Sequence, residues 1–236
     1  MNILLACEES QAVTIELRKL GHNAFSCDII ECSGGHPEWH IMQDALPLLN
    51  GRCSFKTMDG NEHYIPSKWD MIIAHPPCTY LSNAATRAFS LRVTPPEKVV
   101  DRWHKRALAA VFFMRFVLAD CDRIAVENPV GFMSEAYRQP DQYVDPYQFA
   151  ESIEDKENYV TKKTGFWLKG LPLLKTNQLP KPNNGELYGK YSSGKNKCWE
   201  DSYSRKGSVR SKTFPGIARA IAEQWAGKSE SEAVTV

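Results

Sequence analysis

The chain has 236 residues, of which 42% are hydrophobic and 24% charged, and its formal net charge is +1. These totals are ordinary for one large globular domain, and they exclude a chain that attracts an anionic partner by overall charge alone. No apolar run approaches the ~20 residues of a membrane-spanning helix. The N-terminus "MNILLACEES" lacks the basic flank of a signal peptide, so we expect a cytoplasmic protein with no membrane partner.

The first elements in chain order predict a strand–helix–strand unit. "NILLACEES" indicates a short buried strand at residues 2–6, and "NAFSCDII" indicates a second strand that ends near Asp28. Between them, "SQAVTIELRKLGH" has apolar residues at helical spacing, with Ser10 as N-cap and Gly21 as the stop. A unit of this length predicts a parallel, right-handed βαβ crossover.

The middle of the chain predicts two more strands and a long helix. Residues 33–68 are rich in turn signals and are predicted to be loop-rich. "WDMIIA" and "DRIAVENP" are predicted strands, the second ended by Pro129. The helix predicted for residues 97–119 has an apolar pattern formed by Val100, Trp103, Leu108, Val111, Phe112 and Phe116. Alternating strands and helices predict an open α/β sheet that binds ligands outside the carboxyl ends of its strands.

The second half of the chain is locally basic. Residues 160–212 contain twelve lysines and arginines against three acidic residues. The later part of the segment also contains the interspersed aromatic residues Tyr188, Tyr191, Trp199 and Tyr203. Such a segment is able to track phosphates and stack bases, and a solvated basic loop explains the composition equally well.

The end of the chain predicts a helix and a tail. "FPGIARAIAEQWA" places Ile217, Ile221 and Trp225 on one helical face, and "KSESEAVTV" is predicted to be frayed. We therefore divide the chain into a core at 1–172, a short basic insert at 173–210, a C-terminal helix at 211–228 that packs back on the core, and a disordered tail at 229–236.

Cysteine and histidine patterns argue against a metal. The seven cysteines are irregularly spaced and include no CxxC pair, so neither a disulfide framework nor a four-cysteine zinc site is predicted. His36 and His40 have a metal-like spacing, but no Cys/His pair completes a site. We expect no bound metal.

The stretch "HPPCT" follows a predicted strand and carries the first candidate for chemistry. Pro76 and Pro77 fix the backbone and donate no hydrogen bonds, so they form a rigid mount for Cys78. A thiolate that adds to carbon 6 of a pyrimidine makes carbon 5 nucleophilic. A small buried cysteine in a proline-rich turn is the alternative. His75 stands where amine methyltransferases hold a polar anchor, and the sequence assigns it no role.

The stretch "VENPVG" ends the next predicted strand. A carboxyl at Glu127 is suited to protonate ring nitrogen 3 of a pyrimidine, and such a group works best with a raised pKa in a desolvated pocket. A strand-end carboxylate without a special task is the alternative. The two motifs, one βα unit apart, are more specific together than either alone.

This constellation resembles the carbon-5 cytosine-specific DNA methyltransferases, most closely their short, phage-type members. The matching segments occur in the family's order over nearly the whole chain: "LLACEES", "CD" at 27–28, "QDAL" at 43–46, "HPPCTYLS", "VENPVG", "KKTGFWLKGLP" and "SKTFPGIARAIAEQWA". The proline–cysteine and Glu-Asn segments are the specific ones, and the others support the match by their order.

The resemblance implies a Rossmann-like, S-adenosylmethionine-dependent methyltransferase fold: a mostly parallel sheet with one antiparallel strand near its edge, plus a small basic insert. It implies that Cys78 is the nucleophile, that Glu127 activates the ring and that Asn128 positions the neighbouring loop. The implied cofactor-binding residues are Glu8, Glu9, Ser10, Asp28 for the ribose hydroxyls, Asp44 for the adenine amino group, and Pro76. The implied substrate-binding residues are Pro77, Ser82, Lys163, Lys195 and Lys197.

The chain departs from the family pattern in three places. The usual glycine-rich turn after the first strand is here "ACEES". Lys163 stands where the family has a base-contacting arginine, and lysine is a poorer bidentate donor. The insert is much smaller than the family's target-recognition region, so it presents few side chains to a major groove.

The expected activity is methyl transfer from S-adenosylmethionine to carbon 5 of cytosine in DNA, through a covalent cysteine adduct. The base is flipped from a duplex or taken from a single strand. Protection of phage DNA from restriction is implied by the resemblance alone. Two alternatives stay open: the same chemistry on a free pyrimidine nucleotide or RNA, and a catalytically silent nucleic-acid-binding module.

Overall fold

A computed structural model describes residues 1–197, 199–202 and 212–229, without the side chains of residues 200 and 202. The strands are β1 (Asn2–Ala6), β2 (Asn23–Asp28), β3 (His40–Met42), β4 (Cys53–Lys56), β5 (Glu62–Ile65), β6 (Met71–Ala74), β7 (Ile124–Pro129), β8 (Gln142–Val144) and β9 (Thr164–Lys169). The helices are α1 (Ala12–Lys19), α2 (Pro96–Val117), α3 (Met133–Ala136), α4 (Asn184–Tyr188), α5 (Trp199–Ser202) and α6 (Pro215–Ile221). Within these residues, no helix combines the length and the apolar character that crossing a bilayer requires.

Seven strands form one sheet in the order β3-β2-β1-β6-β7-β9-β8. Its pairs β1–β2, β1–β6, β2–β3 and β6–β7 are parallel. Strand β9 runs antiparallel to both of its neighbours, β7 and β8. The predicted α/β class with a mostly parallel sheet is therefore confirmed, and the order is compatible with a Rossmann-like fold.

The central strands are buried on both faces, because successive side chains of a strand point to opposite sides of the sheet. On one face, Leu4 of β1 and Ile72 of β6 share a cluster with Phe113 of α2. On the other face, Ile3 of β1 shares a second cluster with α1 and α6, which contribute Val13, Leu17, Ile217 and Ile221. Helices therefore cover both faces of the sheet.

Helix α1 begins differently from the prediction. Ser10 was predicted to be the N-cap, but the helix begins at Ala12, and Gln11 occupies the cap position with φ 58° and no capping side-chain hydrogen bond. The carboxylate of Glu8 instead accepts hydrogen bonds from the N–H groups of Val13, at 2.7 Å, and Thr14, at 3.3 Å. The predicted stop at Gly21 is confirmed by its φ of 80° just beyond the helix.

The loop-rich prediction for residues 33–68 is wrong in part, because this segment contains β3, β4 and β5. Strand β3 extends the main sheet beside β2. Strands β4 and β5 form a separate antiparallel hairpin around Asp59-Gly60, and they bury mainly Phe55 and Ile65. Strands this short, with single buried residues, give too little periodicity for recognition from sequence.

The helix predicted for residues 97–119 is confirmed as α2, but most of its predicted apolar pattern does not face the core. Four of the six residues in the predicted pattern are exposed, with Val100 at 70% and Val111 at 62% among them, the other two being Trp103 and Leu108. The buried face contains Val99, Arg106, Phe113 and Phe116. Apolar residues lie on most sides of α2, so periodicity alone does not select the inner face.

The C-terminal helix is interrupted. The α-helical hydrogen-bond pattern of α6 ends at Ile221, and a π-helical turn follows it over Ala222–Ala226. The sequence predicted a single helix here. Leu174 and Trp199, both within the predicted insert, are buried in the core cluster with α6, so the insert is partly core. Ser229 donates its N–H to the carbonyl of Leu20. The described residues do not include the rest of the predicted tail, residue 203 or the segment 204–211.

Candidate active site at the ends of β6 and β7

Two loops leave the sheet side by side at the carboxyl ends of β6 and β7. The strands are parallel, with Ala74 opposite Val126. The following residues, His75 and Glu127, therefore emerge at the same edge. Sequence motifs separated by about fifty positions meet here because the strands are neighbours.

The proline–cysteine loop presents its cysteine outward. Pro76 is buried, whereas Pro77 and Cys78 are exposed. The carbonyl of Cys78 accepts hydrogen bonds from the N–H groups of Leu81, at 3.0 Å, and Ser82, at 2.9 Å. The thiol is thus carried on a closed turn, in agreement with the rigid mount that the sequence predicts and against the buried-cysteine alternative.

The two loops are joined by backbone hydrogen bonds. Phe132 donates its N–H to Leu81 O at 2.7 Å, and Asn83 donates to Val130 O at 3.1 Å. Gly131 forms a backbone bridge with Ser82. A Cβ at Gly131 would lie 2.0 Å from Leu81 O, so only glycine permits this approach.

Asn128 adds a side-chain connection between the loops. It is buried, and its Nδ2 donates to the carbonyl oxygen of Pro76 at 2.7 Å. A proline carbonyl needs an external donor when the loop has no regular structure. The contact is the one expected of a residue that positions the neighbouring loop.

Both carboxylate oxygens of Glu127 have partners. Oε2 lies 3.4 Å from His75 Nδ1, and Oε1 accepts a hydrogen bond from Thr164 Oγ1. Burial opposes the charge, but the interactions with His75 and Thr164 outweigh it and lower the pKa of Glu127. The expectation of a raised pKa is therefore wrong, because the sequence gives no indication of a histidine partner.

His75 lies in the candidate site, and the sequence assigned it no role. Its side chain is 10% exposed, and its Nε2 is buried without a hydrogen-bond partner among the described residues. Burial favours the neutral ring, but Glu127 and Glu8 outweigh it and raise the pKa of His75. The sequence contained one indication of this contact: a histidine follows one predicted strand and a glutamate ends the next.

A second group of predicted residues gathers beyond β1, β2 and β3. Cys7 has φ 60°, so the turn that glycine forms in the family is built here with a left-handed cysteine. The pKa of the Cys7 thiol is raised by burial and by the nearby Asp28, Cys27 and Asp44. These residues therefore lie around one position at the carboxyl end of the sheet.

The chemistry of this group fits an adenosine-containing cation. Asp28 is half-buried, accepts from Ile30 N–H at 3.3 Å and has a pKa raised by burial, while Asp44 is exposed. Carboxylates of this kind accept hydrogen bonds from hydroxyl and amino groups. Ile29 and Ile30 are exposed directly after Asp28 and offer apolar surface to a flat ring. The residues present fit S-adenosylmethionine.

Neither the family models nor the curated proteins that we searched contain a match to this chain.

The other predicted cofactor residues have structural partners. Glu8 is buried against α1, where it also accepts a hydrogen bond of 2.6 Å from Thr14 Oγ1. Glu9 accepts a hydrogen bond of 2.5 Å from Ser33 Oγ, which ties the first loop to the segment after β2. Ser10 is half-buried in the same loop. Direct contact of these three residues with a cofactor stays a prediction.

The predicted substrate-binding lysines lie in two places. Lys163 is exposed immediately before β9, whose first residue, Thr164, pairs with Pro129 at the end of β7. Lys163 is therefore close to the candidate active site. Lys195 and Lys197 lie at a turn of the insert closed by the bridge between residues 190 and 196, and their described contacts stay within the insert.

The predicted absence of a histidine metal site can be examined at its two residues. His40 uses both ring nitrogens, on Ser26 Oγ at 2.8 Å and Ile30 O at 2.9 Å. His36 pairs with Glu38 and stacks on Trp39. In the described part of the chain, no three His, Cys, Asp or Glu side chains are grouped in a way that would hold a metal.

Proposed function

We propose that this protein transfers a methyl group from S-adenosylmethionine to carbon 5 of cytosine in DNA, through a covalent adduct with Cys78. One observation carries the proposal: an exposed cysteine and a half-buried carboxylate stand on adjacent parallel strand ends, and Asn128 joins their loops. An exposed thiol mounted on prolines, with a partnered carboxylate at the end of the neighbouring strand, suits nucleophilic addition to a ring that must be polarised.

In this mechanism, the Cys78 thiolate adds to carbon 6 and the ring electrons move to carbon 5. Glu127 directs a proton or hydrogen bond to ring nitrogen 3, which stabilises the adduct. S-adenosylmethionine, when bound, supplies the electrophilic methyl group. Loss of the carbon-5 proton and departure of the thiolate restore the ring. Asn128 keeps the Cys78 loop in register with Glu127 throughout.

The base reaches this edge of the sheet by being flipped from a duplex or by coming from a single strand. Lys163 lies beside the candidate site and is suited to a phosphate or base contact. Lys195 and Lys197 belong to the basic insert. They contact the phosphate backbone of the nucleic acid, and such contacts do not depend on the base sequence.

The test is incubation with tritiated S-adenosylmethionine and DNA rich in cytosine, followed by identification of the labelled base. We expect label at carbon 5 in the wild-type protein, and a loss of at least 10³-fold in Cys78→Ala, since truncation of a catalytic group typically costs this much. Cys53→Ser, in the β4–β5 hairpin, is the matched control and is expected to keep activity. Label elsewhere on the base, or label unaffected by Cys78→Ala, would contradict the proposal.

A second substrate class is favoured by one observation. Leu174 and Trp199 of the insert are buried in the core, so the insert has fewer residues left to read a DNA groove. A free pyrimidine nucleotide or RNA would need less reading surface. Faster methylation of a mononucleotide or an RNA than of duplex DNA would favour this class.

The silent binding module has a separate observation in its favour. Cys7 and Gln11 are left-handed residues in the loop where the family has glycine, and their side chains occupy space that glycine leaves open. Tight DNA binding with no calorimetric signal for S-adenosylmethionine would favour the module and count against methyl transfer.

A further inference from the structure

We propose that His75 is a proton relay residue that supplies Glu127 with the proton delivered to ring nitrogen 3. The inference rests on the proposed function and adds a role for a residue to which that mechanism gives none. The family resemblance does not supply this role, because His75 lies at a position for which it predicts nothing.

The geometry is that of a partly buried acid–base pair. His75 Nδ1 is 3.4 Å from Glu127 Oε2, and the two side chains are 10% and 25% exposed. This distance is longer than an ideal hydrogen bond, and contacts of catalytic groups commonly tighten when substrate binds. The backbone N–H of His75 donates to Ala6 O at 2.9 Å, which fixes the start of the loop to β1. The imidazole is thereby held beside Glu127.

The charges around His75 favour the protonated ring. Glu127 faces it from β7 and Glu8 from the loop after β1, and both favour the imidazolium, while Lys162, before β9, opposes it. Burial lowers the pKa of His75, but the two carboxylates outweigh burial and Lys162. Thr164, the other neighbour of Glu127, is uncharged. Both pKa shifts therefore favour an imidazolium paired with a carboxylate as the resting state.

This resting state creates a need for a relay. A carboxylate with a lowered pKa carries no proton at neutral pH, so Glu127 alone has none to give to ring nitrogen 3. His75 holds one at Nδ1, within reach of Oε2. Neutral histidine is then the conjugate base left behind.

The proton movements balance over one cycle. A proton passes from His75 Nδ1 to Glu127 Oε2, and the resulting carboxyl group protonates ring nitrogen 3 as the Cys78 sulfur–carbon 6 bond forms. Glu127 is again a carboxylate, His75 is neutral and the base carries the proton. After methylation, the carbon-5 proton leaves to water. The sulfur–carbon bond then breaks to return the thiolate, and the proton on nitrogen 3 returns through Glu127 to His75.

The decisive variant is His75→Gln, which keeps a side chain able to donate a hydrogen bond but has no titratable proton. We expect kcat at pH 7 to fall at least tenfold with KM for S-adenosylmethionine within about twofold, and the optimum to move to lower pH, where Glu127 protonates directly. Thr164→Val removes the other donor to the same carboxylate and is the matched control. In this variant, kcat should fall at alkaline pH over the same range as in the wild-type protein. An unchanged pH profile in His75→Gln would overturn the relay and leave only a positioning role.

A second measurement does not require activity. In protein labelled with ¹⁵N-histidine, the six histidines are resolved by NMR and the His75 signal is identified by its loss in His75→Gln. We expect both ring nitrogens of His75 to be protonated at pH 7, with a pKa that falls in Glu127→Gln. If the protein methylates DNA but His75 is neutral at pH 7, the relay is overturned and the proposed function is not. A wild-type protein that places no label on carbon 5 overturns the proposed function, whatever its His75 titration shows.

Discussion

Asn128 donates a hydrogen bond of 2.7 Å from its side-chain amide to the carbonyl oxygen of Pro76, 52 residues away in the chain. Both residues are buried, so water does not replace the bond if it is lost. The bond joins the end of β7 to the loop that presents Cys78. The two candidate catalytic groups therefore keep their spacing through a residue that needs no contact with the base.

Asn128→Ala should separate positioning from chemistry. We expect a loss of about 1–3 kcal/mol in unfolding free energy, because a buried carbonyl loses its donor. We expect kcat to fall on the order of 10²-fold, because small displacements of catalytic groups carry a cost of this size. Urea unfolding and single-turnover labelling measure the two effects. Asn23→Ala, which removes an exposed amide pair with Asn2, is the control and should change neither. Full activity in Asn128→Ala would contradict the positioning role.

Gly131→Ala should disturb the same loop from the opposite side. The new Cβ would meet Leu81 O at 2.0 Å, so one of the two loops must move. We expect methylation to be nearly abolished, with a clear drop in Tm. Gly60→Ala is the control, because φ is +89° there and nothing lies within 4 Å of the Cβ. It should cost about 1 kcal/mol by backbone strain and leave turnover intact. Equal effects of both variants on turnover would argue against the loop contact.

The His75–Glu127 pair predicts a pH window of stability. The pKa of Glu127 is lowered on folding, so its contribution is present above its unfolded pKa, about 4.3, and is lost as pH falls through the folded value. The pKa of His75 is raised, so its contribution is full below about 6.5 and is lost as pH rises through the folded value. The pair should therefore stabilise the fold most between about pH 4.5 and 6.5.

Urea unfolding of the wild-type protein and of Glu127→Gln across pH 4–9 measures this window. The difference in unfolding free energy between the two proteins should be largest near pH 5.5 and should shrink toward both ends. Glu62→Gln, which removes a surface ion pair with Lys56, is the matched control and should give a small, flat difference. A difference between wild type and Glu127→Gln that grows steadily toward pH 9 would contradict an imidazolium partner.

Glu8→Gln tests whether this residue serves the helix or the cofactor. Its carboxylate accepts from Val13 N–H, Thr14 N–H and Thr14 Oγ1, so we expect a loss of about 1–2 kcal/mol in stability as the start of α1 loses its acceptor. The affinity for S-adenosylmethionine, measured by calorimetry, should change less than about threefold. Glu16→Gln on α1 controls for charge. A large loss of affinity with unchanged stability would instead place Glu8 on the ligand.

The sequence predicted the strands that carry the site, because β1 and β6 are buried apolar runs and β7 begins as one. Strand β2 is apolar at Ala24, Phe25 and Cys27. The sequence also predicted α2, but not its buried side, because apolar residues lie on several sides of that helix. Arg106 is part of the buried side, and its guanidinium carbon lies 3.5 Å from the centre of the Phe89 ring.

The sequence missed the His75 contact with Glu127 because the spacing of residues along a chain does not give the distance between strand ends. The same limit applied to Thr164, which reaches Glu127 only because β9 reverses direction beside β7.

The partners of Glu127 come from both directions along the chain: His75 lies 52 residues before it and Thr164 lies 37 residues after it. Strand β9 is in turn covered by the C-terminal segment, where the Phe166 and Trp225 rings pack edge to face at 5.6 Å. During synthesis, the carboxylate therefore lacks one donor until late in translation, and β7 is an open edge strand until β9 arrives. Unpaired edges of this kind template aggregation. A nascent chain terminated in front of β9 is therefore expected to be insoluble.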